Sequence, residues 1–248
     1  MTTRPMKKNL DVCLTPALFH LYDPAGSIVV VIDVLRATSS ICVAFQHGVK
    51  SIVPVSTLEE SLAYREKGFL AGAERKGEMV EGFDLGNSPF SYMEPKVRDR
   101  NIALTTTNGT RAIQVAKPAD QIVIGSFLNL EALCQWLPTQ NKNVILLCSG
   151  WKNAFNLEDT LLAGAITEQL MDQYQFTDHR DSALAAAHLY QLAKDDLYGF
   201  LEKSSHRKRL ERLQIDDDIV YCLTPNQTDV IPVMVGDTIY NLNVLQSM

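Results

Sequence analysis

Short continuous apolar runs recur along the chain, and each is followed by a segment whose apolar positions fall at helical spacing. Residues 28–32 read IVVVI, the mark of a strand covered on both faces. After Asp33, Val34, Leu35 and Arg36, the spacing predicts a helix over 38–47, stopped by Gly48. A second strand is expected at 51–55. Thr57, with Glu60 three residues later, is a capping box that opens a helix over 58–67, closed by Gly68. A further strand is expected at 69–73. From 74 to 95 the pattern lapses into three Gly, two Pro and no periodicity, which predicts a long loop or several turns.

The rhythm then resumes, with strands at 102–105, 122–124 and 144–148 alternating with helices at 108–116 and 130–137. Helices dominate next, at 157–174, 181–194 and 207–213. Residues 230–235 and 238–242 flank Gly236-Asp237 as a β-hairpin would. Such alternation predicts an α/β protein, a layered α/β/α fold with a largely parallel sheet, a helical C-terminal part and a closing hairpin. No Pro-, Gly- or Ser-rich linker and no repeat interrupts it, so 1–248 reads as one domain. A division into two lobes would fall near Trp151, where no change in composition marks a boundary.

Composition narrows the classes. The chain has 248 residues, 46% of them hydrophobic, enough to bury a full core. A net charge of -6 argues against a dedicated nucleic-acid binder. The longest stretch free of Asp, Glu, Lys and Arg, 37–49, is too short and too polar to span a bilayer. Arg4, Lys7 and Lys8 are not followed by the apolar core of a signal peptide. The expectation is a cytoplasmic protein with neither membrane nor nucleic acid as partner, and a homodimer is the base rate for a soluble enzyme. Five scattered cysteines read as small buried hydrophobes rather than a disulfide framework. The five His show no metal-binding spacing, so any metal should be hard and oxygen-bound.

Candidate chemistry lies where the strands end, the edge at which open α/β sheets bind ligands. Asp33 follows five aliphatics, a costly position unless the acid is paired, capping a helix or coordinating a cation. Residues 105–111, TTTNGTR, lead from a strand into a helix. Gly109 permits close backbone approach, the free amides at the helix start suit an anion, Thr106, Thr107 and Thr110 add hydroxyls, and Arg111 adds a charged fork. The plain alternative is an Asn-Gly hairpin turn, which the helical spacing of Ala112, Ile113, Val115 and Ala116 disfavours. In 82–89, GFDLGNSP, Asp84, Asn87 and Ser88 offer oxygen ligands on a loop that could equally be a plain turn. Ser149 follows a strand. Glu158 and Asp159 open a helix, where the dipole alone favours acids. The basic run 205–210, SHRKRL, with Arg212, is either a solvated face or a guide for a polyanion.

Together, VVIDVLRATSS (30–40), AER (73–75), EGFDLGNSPFSY (81–92) and TTNGTRAI (106–113) resemble the 2-phosphosulfolactate phosphatase family. CSG (148–150), NLED (156–159) and SSHRKRL match more loosely, with Ser149 where a small apolar residue is usual and Asn156 where Ser is commoner. The resemblance runs from about residue 28 to residue 222, most of the chain. It implies magnesium-dependent hydrolysis of a phosphate monoester on a small 2-hydroxy acid. On that reading Asp33, Glu158 and Asp159 are the expected magnesium ligands, with Glu74 and Asp84 in reserve. Asp33, Arg36, Asn108 and Arg111 carry the chemistry, with Arg36, Arg111 and the amides of 108–110 on the phosphate. Arg75 or Arg207 would take a second anion, and Asn87, Ser88, Thr106, Thr107, Gly109, Thr110 and Ser149 would line the site. Water and the Asp33 carboxylate both stand as the nucleophile. A haloacid-dehalogenase-type phosphatase would need a second Asp at the position of Leu35. A phosphatase of another 2-phospho acid, or a non-catalytic anion-binding relative, are the remaining alternatives.

Overall fold

The computed structural model describes residues 8–176 and 181–245. Eleven strands join in one sheet: β1 (Lys8–Cys13), β2 (Ser27–Ile32), β3 (Ser51–Pro54), β4 (Leu70–Arg75), β5 (Glu78–Met79), β6 (Asn101–Thr105), β7 (Gln121–Gly125), β8 (Asn143–Cys148), β9 (Tyr174–Phe176), β10 (Pro232–Val235) and β11 (Thr238–Asn241). Their order is β5-β4-β6-β3-β11-β10-β7-β2-β8-β1-β9. One arm, β7-β2-β8-β1-β9, is parallel throughout, and so is the other, β3-β6-β4.

The predicted hairpin exists, and it lies between the two arms. β10 pairs antiparallel with β7 through Val233 and Val123, and β11 pairs antiparallel with β3 through Ile239 and Ile52. It thereby covers an open edge of each parallel arm. It also reverses one arm relative to the other.

Helices cover both faces: α1 (Ala37–Gln46), α2 (Leu58–Ala63), α3 (Gly109–Ala116), α4 (Leu130–Trp136), α5 (Leu157–Leu170), α6 (Ser182–Ala193), α7 (Leu197–Phe200), α8 (Ser205–Glu211), α9 (Asp216–Cys222) and α10 (Leu242–Leu245). Strand periodicity separates two cores. In β2, Ile28, Val30 and Ile32 join a core with α5 and α6, while Val29 and Val31 join a second core with α1 and α3. The sheet is thus the middle of three layers, as its doubly buried strands require.

The Thr57–Glu60 capping box forms with both reciprocal bonds. The helix expected over 157–174 stops at Leu170, and Tyr174–Phe176 instead pairs with β1. Sheet pairing there overrides local pattern. The irregular stretch 74–95 holds β5, which pairs back on β4, and a short 3-10 turn at Pro89–Tyr92 that buries Tyr92. All five cysteines are buried and none is in a disulfide, and burial pushes the thiols of Cys134 and Cys222 up to about 12. Among the described residues no helix is long and apolar enough to cross a membrane.

Candidate active site

A cavity of ≈ 290 Å³ gathers residues from the ends of both arms. Asp33 follows β2 and Trp151 follows β8, whereas Glu74 lies near the end of β4 and Asn108 follows β6; His206 and Arg209 of α8 form a further wall. The arms run in opposite senses, so a flat sheet would hold these ends apart. Five interstrand steps separate β2 from β6. At roughly 20–25° each, the accumulated twist is on the order of 100°, enough to swing the two sets of ends toward one another.

Asp33 is 7% exposed and sits where the fully buried β2 ends. Its backbone is pinned to the start of α1: Asp33 N–H donates to Thr38 Oγ1 at 3.0 Å, and the Thr38 hydroxyl donates to the Asp33 carbonyl at 2.9 Å. The carboxylate has little support by comparison. Among the described residues it accepts one hydrogen bond, from Ala37 N–H at 3.4 Å. Burial therefore raises its pKa from 3.8 to about 6; His206 opposes the rise, while Glu74 and Glu158 add to it.

Gly109 opens α3 directly against this acid. A Cβ there would lie 3.0 Å from Asp33 Oδ2 and 2.6 Å from Ala37 Cβ, so only glycine lets the 108–111 turn meet the carboxylate. A second tight turn closes the site. Trp151 and Ala154 exchange backbone hydrogen bonds, and Lys152 N–H donates to Asn108 Oδ1 at 3.3 Å. Gly150, at φ +60, makes that turn feasible, since a Cβ would come 2.4 Å from Ala154 O.

The remaining acids divide by how fully they are engaged. Asp159 is buried and saturated: its oxygens accept from Val34 N–H, the Ser149 hydroxyl, Gly150 N–H and the Asn156 amide. It ties β2, β8 and α5 together, and its pKa is raised well above 3.8, first by burial and then by Asp33 and Glu158. Glu74 accepts from Thr107 N–H at 3.1 Å, just before the 108–111 turn, and from Gly77 N–H, three residues after itself, at 2.6 Å. Glu158 pairs with His206 Nδ1 through one oxygen, while its Oε2 is buried without a partner.

Among the described residues no three His, Cys, Asp or Glu side chains converge as a ready metal cage. Magnesium does not need one. It is commonly held by one or two carboxylates, with waters and phosphate oxygens completing its shell. The weakly supported Asp33 carboxylate, in the cavity lining, and the orphaned oxygen of Glu158, which is buried outside that lining, fit that donor set. Asp159 is already saturated, and Asp84 is held by Arg65 and by Ala71 N–H, away from the cavity lining.

The other expected residues also separate. Arg36 and Asn87 line the cavity, but the Arg36 guanidinium is engaged by Asp218 and the Gly77 carbonyl. Ser88 donates to Asp218 at 2.8 Å beside them, in a neighbouring hollow. Arg75, Thr106, Thr107, Thr110 and Arg111 line a different cavity of ≈ 410 Å³ on the other side of the turn. Ser149 is spent on Asp159. Arg207 does not line the cavity: it stacks on Tyr198 at 4.5 Å and pairs with Asp216. Unanticipated wall residues are Lys76, Trp151, Lys152, His206 and Arg209. The basic run held a usable signal, because residues three apart share a helix face, and 206 and 209 do so while 207 does not.

Comparison with known proteins agrees in extent with this architecture. A family model described as 2-phosphosulpholactate phosphatase matches residues 13–237. The chain is 38% identical over 208 residues to a protein of Caldanaerobacter subterraneus, covering 82% of this chain and 86% of that one. It is 39% identical to proteins of Thermotoga petrophila and Synechocystis, each match covering 84% of this chain and 88% of the relative. All three relatives carry the name probable 2-phosphosulfolactate phosphatase.

Proposed function

The chain belongs to the 2-phosphosulpholactate phosphatase family, and from that premise we propose that it hydrolyses the phosphate monoester of 2-phosphosulfolactate at the Asp33 cavity with the help of magnesium. Water is consumed, the bond between phosphorus and the ester oxygen breaks, and sulfolactate and inorganic phosphate leave. The observation that carries this reading is the contact between an underpartnered acid and a glycine-opened helix start. Asp33 and the helix start adjoin so closely that a Cβ at Gly109 would sit 3.0 Å from Asp33 Oδ2, so an ester in the cavity that Asp33 and Asn108 line would meet both.

Asp33 and Glu158 would hold the ion, which when bound neutralises phosphate charge and stabilises the separating oxygens. The chain's own groups supply the rest. The positive end of α3 and Asn108 receive phosphate oxygens, since a helix start favours anions. Glu74 fixes that turn through Thr107, and Asp159 fixes the β2 and β8 ends, so the phosphate meets a preformed surface. Arg36, locked by Asp218, holds a fixed guanidinium in one wall. Trp151 helps to keep water from the opposite side.

The test is phosphate release from a panel of 2-phospho acids, including 2-phosphosulfolactate, with magnesium and with EDTA. Release from 2-phosphosulfolactate that EDTA stops and magnesium restores is the expected result. Binding without release would instead make the chain an anion-binding relative, and preference for another 2-phospho acid would move the substrate.

A further inference from the structure

A 2-phosphosulfolactate-like ester carries a carboxylate and a sulfonate besides its phosphate, and the cationic groups of the cavity are not equally free to meet them. Arg36 is committed to Asp218 and Gly77; Arg207, whose Nε and Nη1 are likewise shielded without a hydrogen-bond partner, is held by Tyr198 and Asp216 and does not line the cavity. Lys76 and Lys152 are exposed, where water already solvates them. Of these five, Arg209 is the one that both lines the cavity and carries shielded nitrogens without a hydrogen-bond partner. Its guanidinium lies 4.2 Å from the centre of the Trp151 ring, and Nη1 has only a long contact of 3.4 Å to Ser205 Oγ. Its Nε and Nη2 are shielded from solvent and have no hydrogen-bond partner. Burial lowers its pKa, with Glu158 opposing.

Nε and Nη2 form one edge of a guanidinium, the fork whose two parallel N–H bonds match the oxygens of a carboxylate or sulfonate. Stacking on Trp151 holds the plane of that fork, so little freedom remains to be lost on binding. Two desolvated donors without acceptors are costly, and they mark a place built for a group absent from the folded chain alone. We propose that Arg209 is the specificity residue for the second anionic group of the substrate, a carboxylate or sulfonate on the carbon skeleton that bears the phosphate. The inference rests on the phosphatase reading and reassigns to Arg209 the role that the family resemblance implied for Arg75 or Arg207. Its consequence is selectivity: acidic phosphate esters are preferred over esters with no second charge.

The experiment compares kcat/KM for 2-phosphosulfolactate and for p-nitrophenyl phosphate in wild type, Arg209→Met and Arg209→Lys, with matched melting curves to confirm folding. The ratio of the two kcat/KM values should fall about 10- to 100-fold in Arg209→Met, the worth of a charge-assisted pair, mostly through KM for the acidic ester. Arg209→Lys, which keeps charge without the fork, should recover part of it. An unchanged ratio, whether both activities fall or neither does, would overturn the proposal and leave Arg209 as a partner of Glu158 or of Trp151 alone. Should wild type turn over neither ester, the phosphatase reading fails. Calorimetric binding of 3-sulfolactate, which has no phosphate, then decides: binding weakened about 10-fold or more in Arg209→Met supports the assignment, and equal affinity refutes it.

Discussion

Asp33→Asn should remove phosphatase turnover while making the metal-free protein more stable at neutral and alkaline pH. Asp33 is buried, and its pKa rises from 3.8 to about 6 on folding. Below pH 3.8 the carboxyl is protonated in both the folded and the unfolded chain and costs nothing. As the pH climbs through 6 the fold must carry a poorly supported charge, and the stability present in acid is lost. Each factor of ten in proton affinity is worth ~1.4 kcal/mol, so the full cost is about 3 kcal/mol. Linkage places about half of that cost at pH 5 and nearly all of it by pH 8. Asn has the same shape and no charge to desolvate. For a chain of this length 1 kcal/mol corresponds to roughly 2–4 °C in Tm, so the variant should melt about 6–12 °C above wild type at pH 8 in EDTA and lead by less at pH 5. Circular dichroism melts from pH 5 to 8.5 measure the difference. A lead that does not grow with pH, or a variant no more stable at pH 8, would refute the reasoning. Magnesium should raise the Tm of wild type and not that of Asp33→Asn.

Three other substitutions probe separate parts of the account. Gly109→Ala forces a Cβ to 2.6 Å from Ala37 Cβ; it should cost about 1–3 kcal/mol by overpacking and about 100-fold in kcat by displacing the turn, read from melts and steady-state rates. Asp159→Ala strands the buried N–H groups of Val34 and Gly150 and should destabilise by about 2–5 kcal/mol, checked by urea titration. Gly164→Ala places a Cβ 2.1 Å from the Ala186 carbonyl and should push α5 from α6 at a cost of about 2–3 kcal/mol, seen as a lower urea midpoint.

The layered fold was legible because β2 and β8 alternate cleanly between two cores and so read as doubly buried strands. The position of Asp33 was legible for the same reason, since an acid directly after IVVVI must be compensated or used. Pairing partners were not. Nothing in 230–242 says that its hairpin inserts between the parallel arms, because antiparallel partners are chosen by tertiary contacts and not by local pattern. β1 is hard to read because Lys8, Asn9 and Asp11 make the segment look like a solvated one, although Asp11 is buried in the sheet with Leu10 and Val12. The allotment of arginines was illegible as well. Arg36, Arg207 and Arg209 look alike in sequence, and only the positions of Asp218, Tyr198 and Trp151 decide which guanidinium is spent. The 105–111 turn has two sides, and sequence does not tell that Asn108 faces one cavity while Thr106, Thr107 and Arg111 face another.

Those two cavities frame the most direct test. A crystal structure of the protein with magnesium and sulfolactate plus phosphate should show phosphate in the cavity lined by Asp33 and Asn108, with density for a cation at the Asp33 carboxylate. The same ligands lodged beside Arg75 and Arg111, with the Asp33 cavity holding only water, would contradict the account.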